Sequence, residues 1–171
     1  MAADSAPWAA LQTRVSALEP ARQAAFALAC AERLVRRDSD KTELLESIAA
    51  GWAVLAGGTQ DLTARLVDLD ARSDIDEDDV ACVRYAVGAV ANPGADRSPL
   101  WASDRAIAAA YEKVSYAADA GTFRSLPDDS MNPNVQEELT WQAKALAVLE
   151  EATALSGACE TLRDEVTPDS P

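Results

Sequence analysis

Apolar residues recur along most of the chain at intervals of three and four, which is the spacing of one face of an α-helix. Interrupted by proline, glycine and asparagine, this pattern predicts helices over 7–19, 20–37, 40–56, 59–71, 76–91, 98–120 and 132–166. The connections between them are short, as is typical of antiparallel neighbours. We therefore predict an all-α fold: one domain over 1–171, an antiparallel bundle of six or seven helices with a long C-terminal helix.

Several helix starts have recognisable capping signals. Asp40 and Glu43 have the spacing of a capping box, with Asp in place of the usual Ser or Thr. Thr59 is a suitable cap for the fourth helix, and Asn132 followed by Pro133 is a strong opening for the last one. The sequence predicts that these residues satisfy the first free backbone N–H groups of their helices.

Composition agrees with a helical fold. The 171 residues include 37 alanines and only 7 glycines, and alanine has the highest helix propensity. No apolar run approaches the roughly 18–20 residues that a membrane span needs, and the start shows no secretory signal. The three cysteines are far apart and odd in number, which favours a reducing, cytoplasmic compartment. The tail, 167–171, is predicted to be disordered.

The chain contains no histidine. Catalytic triads, Cys–His pairs and histidine-ligated metal sites are therefore excluded, and the usual general base near neutral pH is missing. No catalytic residue, metal ligand or cofactor is predicted. The formal net charge is −14, which argues against binding to nucleic acid or anionic membranes and favours a basic protein partner.

Negative charge is densest over 68–79, which we call the acidic stretch. Like charges at this density repel, and a surface for a basic partner is one reason to keep them together. A solvated loop is the alternative, and a calcium loop is disfavoured because Arg72 and Ser73 occupy ligand and turn positions. The predicted partner-binding residues are Asp68, Asp70, Asp74, Asp76, Glu77, Asp78 and Asp79.

A second alternative is an enzyme. All-helical nucleotide hydrolases hold Mg²⁺ between helical carboxylates, and Glu43 with Glu46 has a suitable E-x-x-E spacing. Octahedral Mg²⁺ needs several converging oxygens, however, and no second motif of this kind is evident. An exposed helix face is the simpler interpretation of this pair.

Two segments together resemble a known family. The first is the apolar helix over 24–34, which contains Glu32-Arg33, and the second is Asn-Pro-Asn-Val-Gln-Glu-Glu-Leu-Thr-Trp-Gln over 132–142. Their order and spacing resemble the YjaG-like family of small all-helical bacterial proteins. The pair is also similar to helical immunity proteins of bacterial polymorphic toxin systems (immunity family five).

This resemblance implies a helical fold, no known enzyme activity and, for the immunity proteins, binding of a cognate toxin. The motif positions are expected to be structural: Asn132-Pro133 would cap a helix and Glu138 would meet Arg33 across the bundle. A self-associating helical protein, such as a homodimer, remains a further alternative. The motif residues are Glu32, Arg33, Asn132, Pro133, Glu138 and Gln142.

Overall fold

The computed structural model describes residues 6–118 and 132–166, which form helices joined by short connections, with no strand in these ranges. The all-α prediction is confirmed, although the described residues form eight helices rather than six or seven. The predicted end of the sixth helix at 120 and the predicted disorder of 167–171 lie outside the described residues. The helices are α1 (Ala6–Ala17), α2 (Pro20–Asp38), α3 (Glu43–Leu55), α4 (Leu62–Asp70), α5 (Asp78–Ala91), α6 (Ser98–Ala118), α7 (Pro133–Glu151) and α8 (Leu155–Val166).

The single long C-terminal helix predicted over 132–166 is wrong. The chain leaves the helical conformation at Ala152, where ψ is 131°, before it reaches the Ser-Gly pair at 156–157. The Arg22 guanidinium on α2 donates hydrogen bonds to the backbone oxygens of Leu149 and Ala152, the latter at 2.8 Å. Because Arg22 satisfies these carbonyls, the helix can end there, and α8 turns back to pack against α2.

Two predicted helix caps are also wrong. Helix α3 begins at Glu43 rather than 40, and no capping box forms, because the segment before it is held against α5 by contacts of Ser39 and Lys41 with Asp79. Helix α4 is capped by Asp61, whose carboxylate accepts from the N–H of Ala64 at 2.9 Å. A carboxylate also complements the positive end of the helix dipole, unlike the hydroxyl of threonine.

The core surrounds α2, which packs against α3, α5, α6, α7 and α8. From Ala24 to Ala31 this helix is fully buried on every side, and small alanine side chains let its neighbours approach closely. Phe26 and Leu28 fill the space that the alanines leave. The last turn of α2 carries Arg36, Arg37 and Asp38, so a buried helix places charged groups at one end of the bundle.

Candidate functional site

Three of the motif residues, Arg33, Glu138 and Gln142, meet in a group of contacts with Arg37 and Ser103 that we call the buried polar network. Its centre is the Glu138 side chain, which is 2% exposed. One oxygen, Oε2, accepts from Arg33 Nε at 3.2 Å and from Arg37 Nη1 at 3.0 Å. The other oxygen accepts from Gln142 Nε2 at 3.1 Å. The predicted contact of Glu138 with Arg33 is therefore confirmed.

The network continues from α7 into α6 through Gln142, which is fully buried. Its Oε1 accepts from Ser103 Oγ at 2.6 Å, and its Nε2 lies 3.4 Å from the Ser103 backbone oxygen. At the start of α7, Asn132 Oδ1 accepts from the N–H groups of Asn134 and Val135, at 3.0 and 3.3 Å. The predicted cap by Asn132 is confirmed, and Pro133 occupies the first turn, where its missing N–H costs nothing.

Glu32 belongs to a separate set of contacts, between α2 and α3. Its carboxylate accepts from Trp52 Nε1 at 2.7 Å and from Arg36 Nε and Nη2 at 2.9 and 2.7 Å. Arg36 lies one turn along the same helix, so the ion pair is within α2 while the indole bond joins α2 to α3. The sequence did not predict the hydrogen bond of Trp52, because its indole donor meets Glu32 only when α2 and α3 pack together.

These contacts pair the polar groups of the network mainly with one another. Glu138, Gln142 and Ser103 are buried and each has a hydrogen-bond partner. The guanidinium of Arg33 also lies 5.0 Å from the centre of the Trp141 ring and 3.0 Å from the exposed Glu137. The arrangement pairs polar groups from α2, α6 and α7, which stabilises the packing of these three helices.

The acidic stretch is largely neutralised by cations from other segments. Lys41 lies among three of its carboxylates: Nζ is 3.3 Å from Asp74, 3.1 Å from Asp79 and in contact with Glu77. Burial favours a higher pKa for Asp79, but hydrogen bonds from Ser39 and Lys41 outweigh it and hold that pKa below its usual range. Lys41 follows α2 in the chain, and its ion pairs therefore link the C-terminal end of α2 to the start of α5.

Arginines bind further carboxylates of the stretch. Arg84 is 2.9 Å from Asp70, and Arg105 on α6 is 3.1 Å from Asp78. Arg72 donates from Nε and Nη2 to both oxygens of Asp74, each at 2.8 Å, and this lowers the pKa of that carboxyl. A guanidinium thus occupies the position where a calcium loop would need a ligand, which argues against that alternative.

Two members of the stretch, Asp68 and Asp76, are exposed and have no ion pair with the part of the chain that the structure describes. Asp76 lines an open groove of about 630 Å³ between α2, α5 and α6, which we call the acidic groove. Six carboxylates and one arginine line it, together with Leu34 and Ala109. The charged residues are Asp38, Asp76, Glu77, Asp78, Asp79, Glu112 and Arg105.

The carboxylate pair considered for magnesium is not assembled into a site. Glu43 is 3.3 Å from Arg72, and its side chain is about half exposed. Glu46 lies one turn along α3 and is also exposed. Within 6–118 and 132–166, no three potential metal ligands are grouped closely enough to hold an ion.

Comparison with protein-family models, with curated proteins and with solved structures found no match. None of the helices in the described ranges has the length and apolar character that crossing a bilayer requires. The family resemblance therefore rests on the two motif segments alone.

Replacing Lys41 by methionine should lower the free energy of unfolding by about 1 kcal/mol at pH 7, because three carboxylates lose their shared cation. The folded pKa of Asp79 is lowered, so its stabilising contribution is present above the unfolded pKa of about 3.9 and disappears as the pH falls through the folded value. The difference between the two proteins should therefore shrink in acid.

Urea denaturation at a series of pH values from 7 to about 2.5, where carboxylates titrate, measures the difference in unfolding free energy between the wild type and the Lys41 variant. Lys144→Met is the control, since Lys144 is 60% exposed and its only ion pair within the described residues is with Glu165, at 2.7 Å. The Lys144 variant should lose little unfolding free energy at any pH. A Lys41 variant that behaves like this control would show that the ion pairs of Lys41 contribute nothing to the free energy of unfolding.

Proposed function

We propose that this chain is a cytoplasmic immunity-type protein, which binds a basic protein toxin through the acidic groove and covers the toxin's active or substrate-binding surface. The observation that carries the proposal is the groove itself, which six carboxylates line and in which Asp76 and Glu112 have no ion pair within the described ranges. Toxins that act on nucleic acid need clustered lysine and arginine to bind phosphate. Such a surface is complementary to this groove in charge.

Electrostatics favours encounter with a basic partner over encounter with an acidic one. The net charge of −14 attracts cations at long range, and the groove concentrates carboxylates that already accept lysine and arginine from this chain. Asp76 and Glu112 line the groove without an ion pair in the described ranges, so a partner's cations meet them first. Complementary charge of this kind mainly raises the association rate.

The family resemblance supports a binding role over a catalytic one. The motif residues carry it, and in this chain they stabilise the packing of α2, α6 and α7. Function in such a protein then depends on the surface that these helices support, and the acidic groove adjoins the C-terminal end of α2 at Leu34 and Asp38.

The first experiment is capture of a partner with the tagged chain as bait, in extract of the native organism at low salt. The proposal expects a stoichiometric basic protein that salt releases. That protein is then expressed in a susceptible host with and without this chain. Growth arrest by the partner alone, and normal growth when both are present, would establish an immunity function. A partner that is harmless alone would contradict it.

A pair of double variants tests the groove. Asp76→Asn with Glu112→Gln removes two charges without breaking an ion pair inside the described chain. Glu151→Gln with Glu160→Gln removes two exposed charges from α7 and α8 and is the control. Stopped-flow mixing with the captured toxin should show slower association and a shallower salt dependence for the groove variant only. Identical kinetics for both variants would remove the groove from the interface.

A further inference from the structure

The turn between α7 and α8 lies in a segment whose sequence favours a helix. Residues 152–154 leave the helical conformation, between the end of α7 at Glu151 and the start of α8 at Leu155. The sequence over 149–155 is Leu-Glu-Glu-Ala-Thr-Ala-Leu, without proline or glycine. Leucine, glutamate and alanine are among the residues with the highest helix propensity. Local preference therefore favours one continuous helix, and contacts from another part of the chain must hold the turn.

These contacts come from Arg22 on α2. Its guanidinium donates hydrogen bonds to the backbone oxygens of Leu149 and Ala152, the latter at 2.8 Å. In a continuous helix the same two oxygens would accept from the N–H groups of Thr153 and Ser156, four residues further along the chain. Arg22 therefore competes directly with the hydrogen bonds that would join α7 to α8.

The start of α8 is also weakly capped. The backbone oxygen of Ala154 accepts from the N–H of Ala158 at 3.3 Å, which places Ala154 at the N-cap position. Alanine has no side-chain oxygen for the next free N–H groups and is a poor residue at this position. Joining the two helices would give these N–H groups backbone partners on α7.

Helix α8 folds back and packs against α2 and α7, with Ala158, Leu162 and Val166 buried. Near its end, Glu165 lies 2.7 Å from Nζ of Lys144 on α7, so α8 runs antiparallel to α7. If the two helices join, α8 must leave this position, and its apolar face and the surface that it covered both become exposed. The segment that is complementary to that surface is another α8.

We propose that α7 and α8 join into one helix in a minor population of this chain, and that two such copies exchange α8. Each α8 then packs between α2 and α7 of the other copy and repeats the contacts that it makes in the monomer. Domain swapping of this kind is a low-cost route to a dimer. This inference does not depend on the proposed toxin-binding function.

The geometry of the monomer is compatible with a two-fold exchange. A continuous helix over 133–166 is about 50 Å long at 1.5 Å per residue. Because α8 is antiparallel to α7 in the monomer, the two long helices of the dimer are antiparallel and cross near Thr153. The residues at the crossing, 152–154, are small and let the helices approach closely. The net charge of −14 opposes association, so high salt should favour this dimer, whereas it should weaken toxin binding.

Two substitutions should shift the equilibrium in opposite directions. Arg22→Met frees both carbonyls of the turn and should raise the dimerisation constant by about tenfold or more. Thr153→Pro should prevent exchange, because proline has no N–H for the Leu149 oxygen and does not fit inside a helix. It is compatible with the turn of the monomer, since Ala152 already has φ −66° and ψ 131°, the conformation favoured before proline. Combining the two substitutions should restore the monomer.

Arg14→Met is the matched control for Arg22→Met. Arg14 also donates to α7, but to Glu150 and to the Ala143 oxygen rather than to the carbonyls of the turn. Thr153→Ala is a second promoting variant that leaves Arg22 in place, and its higher helix propensity should raise the dimerisation constant by about two- to threefold. Circular dichroism and a thermal midpoint establish that each variant is folded. If Arg22→Met does not fold, the comparison of Thr153→Ala with Thr153→Pro tests the proposal.

Sedimentation velocity over a wide range of protein concentration, at low and high salt, measures the dimer on the full chain. Exchange is identified in a mixture of isotopically labelled and unlabelled chains by carbodiimide cross-linking, which joins the Lys144 amine to the Glu165 carboxylate. In a swapped dimer these two groups come from different chains. Mass spectrometry should therefore find cross-linked peptides in which only one half is labelled.

Three results would overturn the proposal. Promoting variants that stay as monomeric as Arg14→Met at every concentration would show that the two helices do not join. A dimer that persists with Thr153→Pro would form without a continuous helix. Cross-linked peptides that always carry the same label in both halves would show that α8 stays with its own chain. A dimer that Arg22→Met raises, Thr153→Pro removes and mixed cross-links join supports the proposal.

Discussion

Replacing Glu138 by alanine is expected to lower the free energy of unfolding by about 3–5 kcal/mol, because it removes one partner from a buried ion pair. The carboxylate is 2% exposed, and it accepts hydrogen bonds from Arg33, Arg37 and Gln142. Without it, two guanidiniums that are only 18% and 23% exposed lose their shared counter-charge. The Gln142 amide also loses an acceptor in a site where water does not replace it.

The neighbouring residue provides a matched control. Glu137 binds the same Arg33 at 3.0 Å, but its side chain is 65% exposed. Since exposed ion pairs contribute little, Glu137→Ala should cost about 0.5 kcal/mol or less. Chemical denaturation monitored by circular dichroism compares the two. Similar losses for both variants would mean that burial of Glu138 has no energetic consequence.

A loss of 3–5 kcal/mol is a large part of the total stability of a domain, about 5–15 kcal/mol, and Glu138→Ala could fail to fold. Glu138→Gln keeps the shape and one acceptor while removing the charge. We expect it to fall between the wild type and the alanine variant. A glutamine variant as stable as the wild type would show that shape and hydrogen bonding suffice and that the negative charge is dispensable.

Replacing Trp52 by alanine is expected to cost about 3–5 kcal/mol, through the cavity left by the ring and the loss of the indole donor to Glu32. The side chain is 5% exposed, and its Nε1 lies 2.7 Å from the carboxylate. Trp52→Phe separates the two effects, because it keeps much of the ring volume and removes the donor. We expect Trp52→Phe to lower the free energy of unfolding by about 1–3 kcal/mol.

Denaturant midpoints of the two Trp52 variants, with Trp101→Ala as a control, measure this prediction. Trp101 is the same residue type on another helix and is 38% exposed, so its truncation should cost less than that of Trp52. If Trp52→Phe matches the wild type, the hydrogen bond to Glu32 makes no net contribution. If Trp52→Ala matches Trp101→Ala, the indole is not part of the packed core.

Part of the structural core of the candidate site was predictable from the motif segments. The resemblance indicated that Glu138 would meet Arg33, and the Asn-Pro signal predicted the start of α7; both are confirmed. Arg37 and Ser103 were not predicted, because an arginine at a helix end and a serine within a helix are common on exposed surfaces. Only the placement of α6 and α7 beside α2 makes them partners of the network.

The ion pairs of the acidic stretch, by contrast, were not predictable from the sequence. Its charge is evident from composition, yet the sequence does not indicate which carboxylates remain available to a partner. Lys41 and Arg105 reach the stretch from positions 36 and 27 residues away in the chain. Separations of that size carry no periodic signal, so these ion pairs depend on the tertiary arrangement.

The helical class and the negative charge of this protein could be predicted without its structure, because helix periodicity is a short-range property and net charge is additive. The sequence also predicted where α2, α5 and α6 begin, to within two residues. Three features depend on how the helices pack: the break between α7 and α8, the exposure of Trp101 and the ion pairs of the acidic stretch. Each of these depends on side chains from distant segments, such as Arg22 at the carbonyl of Ala152, that meet only when the helices pack.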